Sequence, residues 1–214
     1  MTSTAAVGPK ERGILFSAPM VRAILEGRKT QTRRICKNGE WLKSTHKRVA
    51  GGYVGSIEPI ACPYGVAGDR LWVRETWAAC DWKLRGTPAR GEAEIAYGAD
   101  APVPIAEWEA WRQQFDRFRP SIHMPRWASR ITLEVTSVRV QRLQEITEED
   151  AMAEGVTPFP KDPEGDCWSD GTHRSAFEYL WGNINGFPGE ARGVGKSWIE
   201  NPWVWAVSFK RVTS

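Results

Sequence analysis

The sequence predicts an α+β fold: a small, curved, mostly antiparallel β-barrel with flanking helices and loop insertions. Three observations lead there. Leu71–Trp77, Ile131–Val135 and Trp203–Phe209 alternate between apolar and other side chains, as strands with one buried face do. The middle run slips phase near Ser137 before Val138 and Val140, which is what a bulge in a long, bent barrel strand produces. Finally, Met20, Val21, Ile24 and Leu25, and again Phe177, Leu180, Trp181 and Ile184, recur at helical spacing.

The 214 residues suit one domain, read as residues 13–214 behind a flexible tail of residues 1–12 that lacks the apolar core of a secretory signal. Gly13–Phe16 is a short strand. Ser17 is a helix N-cap with Pro19 in the first turn, and Gly27 closes that helix. The cation-rich segment Arg28–Arg34 gives way to a polar, Gly-rich loop or irregular hairpin from Lys37 to Gly55. A turn at Tyr64–Arg70 feeds Leu71–Trp77, whose alternation puts Glu75 on the same face as Leu71, Val73 and Trp77. Residues 78–120, with Pro88, Pro102, Pro104 and Pro120 around a helix carrying Trp108 and Trp111, form an insertion. Thr147 caps a short helix, Glu148–Glu154, closed by Gly155, and capping accounts for its acids. Insertions are thus expected near 37–55, 80–120 and 157–172.

Composition narrows the function. With 29 Lys+Arg against 26 Asp+Glu, the net charge of +3 is far from that of a protein gripping duplex DNA. Cys36, Cys62, Cys80 and Cys167 have no paired spacing and His46, His123 and His173 are dispersed, so no metal or other cofactor is expected and the thiols read as free in a reducing, cytoplasmic setting. No window is long and apolar enough to span a membrane. Of twelve tryptophans, Trp72, Trp77, Trp181, Trp203 and Trp205 fall where the patterns point inward. They read as an aromatic core, with base stacking on Trp72 or Trp77 as the alternative.

Lys29, Thr32 and Arg34 lie just past the first helix. A desolvated lysine can act as base toward a hydroxyl, with Thr32 as nucleophile. Glu75, a carboxylate on an apolar strand face, needs a cation, and a buried lysine is a natural one. The pattern alone leaves catalysis, a structural ion pair and phosphate contact all open.

Gly27-x-Lys29-x-x-Thr32-x-Arg34 resembles the GxKxxTxR motif of ASCH domains, a branch of the PUA-like β-barrels, and Gly68–Trp77 resembles the strand that follows it. Phe177–Gly186 and Asn201–Trp205 are similar to the longer, phage-associated members. The resemblance implies a small β-barrel with a cleft for nucleosides or nucleic acid. It also implies an amidohydrolase that removes acyl groups from the N4 amine of cytidine-type nucleosides, with Lys29, Thr32 and Glu75 as the catalytic set and no cofactor. Arg34, Arg33, Trp72 and Trp77 would then hold a small modified nucleoside. The alternative is an RNA-binding module without catalysis, in which Arg28, Lys29, Arg33 and Arg34 track a phosphate backbone.

Overall fold

The computed structural model of the chain describes residues 8–36, 42–49 and 52–59 (both as backbone), 61–80, 94–101, 117–160, 170–191 and 195–212. In chain order its elements are β1 (Glu11–Leu15), α1 (Ala18–Leu25), β2 (Gln31–Ile35), β3 (Leu42–Val49), β4 (Gly52–Pro59), β5 (Arg70–Arg74), β6 (Trp77–Cys80), β7 (Glu94–Tyr97), β8 (Thr132–Arg142), α2 (Glu148–Ala153), α3 (His173–Asn185) and β9 (Trp203–Arg211). The fold is mixed α+β. The chain divides into two units, one of residues 1–27, 68–135 and 210–214, the other of residues 28–67 and 136–209.

In the first unit β1 runs parallel to β5, with Gly13 opposite Trp72, and β5 runs antiparallel to β8, with Leu71 opposite Leu133. β1 starts at Glu11 rather than Gly13, because the Lys10 amide and the Arg12 guanidinium both bond the Asp69 carboxylate, at 2.9 and 2.7 Å. α1 has Ser17 at its N-cap and proline in its first turn, and it buries Val21, Ala23 and Ile24. The expected alternation holds: Leu71, Val73, Glu75 and Trp77 are each at most 1% exposed. The strand itself does not run on. β5 ends at Arg74, and Trp77 opens β6, which pairs with β7 in a separate two-stranded sheet. Trp77, Met124 and Ala128 form the core there, the Trp77 ring meeting Trp127 edge-on at 5.9 Å.

In the second unit β2 pairs antiparallel with β9, setting Thr32 opposite Val207. The Gly-rich segment forms a regular hairpin, β3–β4, in register from Leu42 opposite Pro59 to Val49 opposite Gly52. Leu143, Ile146, Ala151, Phe177, Trp181, Trp198 and Val204 make the core. α3 is capped by Thr172, whose side chain accepts from the Ser175 amide, and it ends at Gly186 with φ 103°. Its apolar stripe is narrower than expected, since Ile184 is 52% exposed. β9 departs from alternation: Val204, Trp205, Ala206 and Val207 are all buried, so both faces of this strand are covered.

The main sheet has the order β1-β5-β8-β9-β2. The expected barrel strands therefore share one sheet, and β8 exposes Thr136 and Ser137 consecutively where the phase slip fell. Among the described residues, however, no pairing joins the end strands β1 and β2, so the sheet is open rather than a closed barrel. Alternation reports that one face of a strand is buried, and an open sheet under helices meets that condition as well as a barrel wall does. Trp82, Trp108, Trp111 and Trp168, with most of the expected insertions, lie outside the described residues. No helix among the described residues is long and apolar enough to cross a membrane.

Gly182, inside α3, faces the Phe187 ring so closely that a methyl group would fall within contact distance. Alanine normally stabilises a helix interior by about 1 kcal/mol over glycine. Here the sign should reverse, and Gly182→Ala should lower the unfolding free energy in urea by about 1–2 kcal/mol through overpacking.

Candidate active site

Gly27, at φ 76°, turns the chain out of α1, and the residues that follow are strapped to the C-terminal end of α2. The Arg28 guanidinium donates to the Gly155 carbonyl at 3.0 Å, and the Thr30 amide to the Ala153 carbonyl at 2.8 Å. Between them Lys29 Nζ donates to the Glu154 carbonyl at 2.8 Å and to Glu154 Oε2 at 2.7 Å. Three consecutive residues thus engage three consecutive residues of the helix end. The Thr30 carbonyl also accepts from the Phe209 amide at 2.8 Å, fixing where β2 begins against β9.

The Lys29 side chain is wholly buried and that of Glu154 is 3% exposed. Burial pulls the Lys29 ammonium below the ordinary lysine range, more than the Glu154 carboxylate restores, and the cations of Arg34 and Arg33 act in the same downward direction as burial. Arg33 and Arg34 stand on opposite faces of β2 by strand alternation. An ammonium that senses both sits near the start of the strand.

Arg33 shares Glu154. Its NH1 donates to Glu154 Oε1 at 3.2 Å and to Gln31 Oε1 at 2.6 Å, and its NH2 to Asp150 Oδ2 at 2.7 Å. Arg139 closes the chain of charges on Asp150 at 2.6 and 2.8 Å. Burial pushes the Asp150 carboxyl up, but the Arg139 hydrogen bond and the charges of Arg33 and Arg139 outweigh it and hold it below the usual carboxylate range. Arg33, expected to touch substrate, is therefore committed to the protein's own carboxylates with no exposed side-chain surface.

Thr32 and Arg34 share the other face of β2. Thr32 is 3% exposed, and its hydroxyl has no hydrogen-bond partner among the described residues. Burial lowers the Arg34 guanidinium, while Tyr64 and Glu154 act against that. Cys36, next on this face, is a buried free thiol pushed up to about 11 by burial and by neighbouring Cys62.

Glu75 lies in the first unit with a different cation. Arg130 binds it through two nitrogens, at 3.0 and 3.1 Å, and binds Asp100 at 2.7 and 2.8 Å, its guanidinium 3.9 Å from the centre of the Tyr97 ring. Burial raises the Glu75 carboxyl above the usual range despite Arg130. The expectation that Glu75 takes a lysine is corrected to an arginine clamp. Trp77 is core, and Trp72 is half-buried beside Arg74, whose guanidinium is 5.3 Å from the indole centre.

Glu154 is the residue that sequence reasoning missed, because the acids of its helix were assigned to capping. Glu148 does cap, but on the next helix, accepting the His173 and Arg174 amides at 2.7 and 3.0 Å. A signal was present. Capping acids belong in a first turn, whereas Glu154 ends its helix, where the macrodipole disfavours an anion, and it lies one turn beyond Asp150 on the same face. Such a carboxylate calls for cations.

Compared with known proteins, the chain matches no family model, no curated protein and no solved structure.

Two outcomes follow from this geometry. Glu154→Gln removes the carboxylate charge that two buried cations share and should destabilise by about 3–5 kcal/mol. Adding Lys29→Met should restore a large part of that, as chemical denaturation of the single and double variants can establish. Cys36 should resist iodoacetamide at pH 8 in the folded chain and react once it is unfolded, as mass spectrometry of the labelled peptide would read.

Proposed function

We propose that the chain is an ASCH-type amidohydrolase of the PUA-like class that removes acyl groups from the exocyclic N4 amine of cytidine-type nucleosides. In this reading Lys29 is the base, Thr32 the nucleophile, and Glu154, rather than Glu75, the carboxylate that holds the lysine. One observation carries it: a wholly buried lysine, lowered toward neutrality by desolvation, is hydrogen-bonded at 2.7 Å to a buried carboxylate three residues before an unengaged threonine hydroxyl.

Neutral Lys29, which makes no hydrogen bond to Thr32 in the resting chain, would take the Thr32 proton as the hydroxyl oxygen attacks the acyl carbonyl, and a tetrahedral adduct would form. The resulting Lys29 ammonium, held by Glu154, returns that proton to the departing N4 amine as the C–N bond breaks. Water then attacks the acyl-threonine, giving the carboxylic acid and free Thr32. Arg34, on the Thr32 face of β2, is proposed to stabilise the oxyanion or to hold the pyrimidine O2. The amine leaves from an electron-poor ring, so this chemistry needs no cofactor. The burial of Lys29 and Arg33 favours hydrolysis over RNA binding, since side chains without exposed surface do not track a phosphate backbone.

The test is cytidine release from N4-acetylcytidine and longer N4-acyl analogues. Lys29→Ala, Thr32→Ala and Glu154→Gln should each lower kcat/KM by at least about 100-fold, as members of one catalytic unit do. Glu75→Gln, once shown to be folded, should keep near-wild-type turnover. Because the base works only when neutral, kcat/KM should climb with pH until Lys29 is deprotonated, at a pH below the ordinary lysine range. Near-wild-type cytidine release by folded Lys29→Ala would overturn the reading.

A further inference from the structure

None of the residues proposed for hydrolysis lines a pocket found in the second unit. That cavity, of about 540 Å³, lies along α3 and the segment after it, with Tyr179, Phe187, Trp198 and Ile199 among its walls. Its size is that of a small-molecule site. It exists because Gly182 has no side chain: Phe187 lies down against the helix there, 6.0 Å from Tyr179 between ring centres and tilted 49°. Trp198 stands across from them, held in the core by Phe177 at 6.4 Å. Ile199, 70% exposed, leaves an apolar lip.

One carboxylate stands in the pocket wall, and two more are bonded to the backbone beside it. Glu178 lines the pocket and makes no hydrogen bond or ion pair among the described residues. Partial burial raises its carboxyl, and Arg174, one turn earlier on the helix, only partly counters this. Glu190 accepts the amide of Phe187 at 3.4 Å, and Glu200, beside Ile199, accepts the amides of Gly195, Lys196 and Ser197 at 2.7, 2.8 and 3.0 Å. Both carboxylates are thereby held next to lining residues. The Trp198 ring already carries one cation, Arg174, with its guanidinium 5.2 Å from the ring centre.

We propose that this pocket binds a small organic cation with an aromatic or branched apolar body. Aromatic faces present negative quadrupole to a cation, and the attraction grows when the site sheds water, as an apolar cavity of this volume does. Glu178 supplies the counter-charge that Arg174 leaves incompletely satisfied. An anion of the same shape meets the Glu178 carboxylate instead, and a neutral molecule gains only the apolar contact.

Calorimetric titration of the full chain with benzyltrimethylammonium, benzyl alcohol and phenylacetate separates these cases, since all three carry one phenyl ring and differ in charge. The cation should bind saturably and at least about three-fold more tightly than the alcohol, with phenylacetate weakest. Glu178→Gln, a change at an exposed position that leaves the fold intact, should bring the cation to near parity with the alcohol. Tyr179→Leu should weaken the cation more than the alcohol, provided that circular dichroism shows a native spectrum. Equal affinity for cation and alcohol, absence of saturable binding by any of the three, or a cation preference unmoved by both substitutions would overturn the proposal. None of these readings depends on whether the chain hydrolyses acylcytidine.

Discussion

The buried contact between the Lys29 ammonium and the Glu154 carboxylate organises everything around it. A lysine without exposed side-chain surface is tolerable only with a carboxylate in hydrogen-bond range, and Glu154 is tolerable at its own buried position only with cations around it. Each therefore dictates the other's place. The backbone follows: Arg28 and Thr30 bond the carbonyls flanking Glu154, so the lysine reaches its partner only when the chain lies along the end of α2. From there β2 leaves in the register that pairs Thr32 with Val207, and Thr32 and Arg34 come to share one face.

The same contact resolves a problem that α2 creates. Six residues of helix, with three acids in the first turn, gain from their dipole at one end and would lose at the other, where Glu154 sits. Lys29 and Arg33 reverse that balance by bringing two positive charges to the helix C-terminus, where the last carbonyls also need donors. Lys29 Nζ serves both needs, bonding the carbonyl and the carboxylate of the same residue.

Local signals in the sequence were reliable where one residue's surroundings decide the outcome. The cap at Thr147, the turn at Gly27 and the inward face of Leu71, Val73, Glu75 and Trp77 all follow from near neighbours. What escaped was connectivity. The alternating run crosses from β5 into β6 without changing face, so periodicity cannot reveal that the strand, and the sheet, have changed. β9 hides its alternation for a different reason: small Ala206 and branched Val204 and Val207 are buried wherever both faces are covered. The Glu154 partnership spans 125 residues, and no local pattern carries a contact of that length. Only the misfit of an acid at a helix end pointed to it.

Two buried carboxylates thus differ in their cations: Glu75 has an arginine, and Glu154 has a lysine as well as an arginine. Arg130 meets Glu75 and Asp100 with a planar fork that stays charged at any accessible pH, so this cluster stores no exchangeable proton on its cation. It acts as a clamp, fixing the point where β5 gives way to β6. Lys29 has a single nitrogen whose proton burial has already loosened, and the carboxylate beside it holds that nitrogen in one place whether or not the proton is present. An ion pair that must only hold favours arginine, whereas one that must trade a proton requires lysine. Of the two clusters, the one on β2 and α2 therefore has a cation that can give up its proton, whereas the one around Glu75 has a cation that keeps its charge.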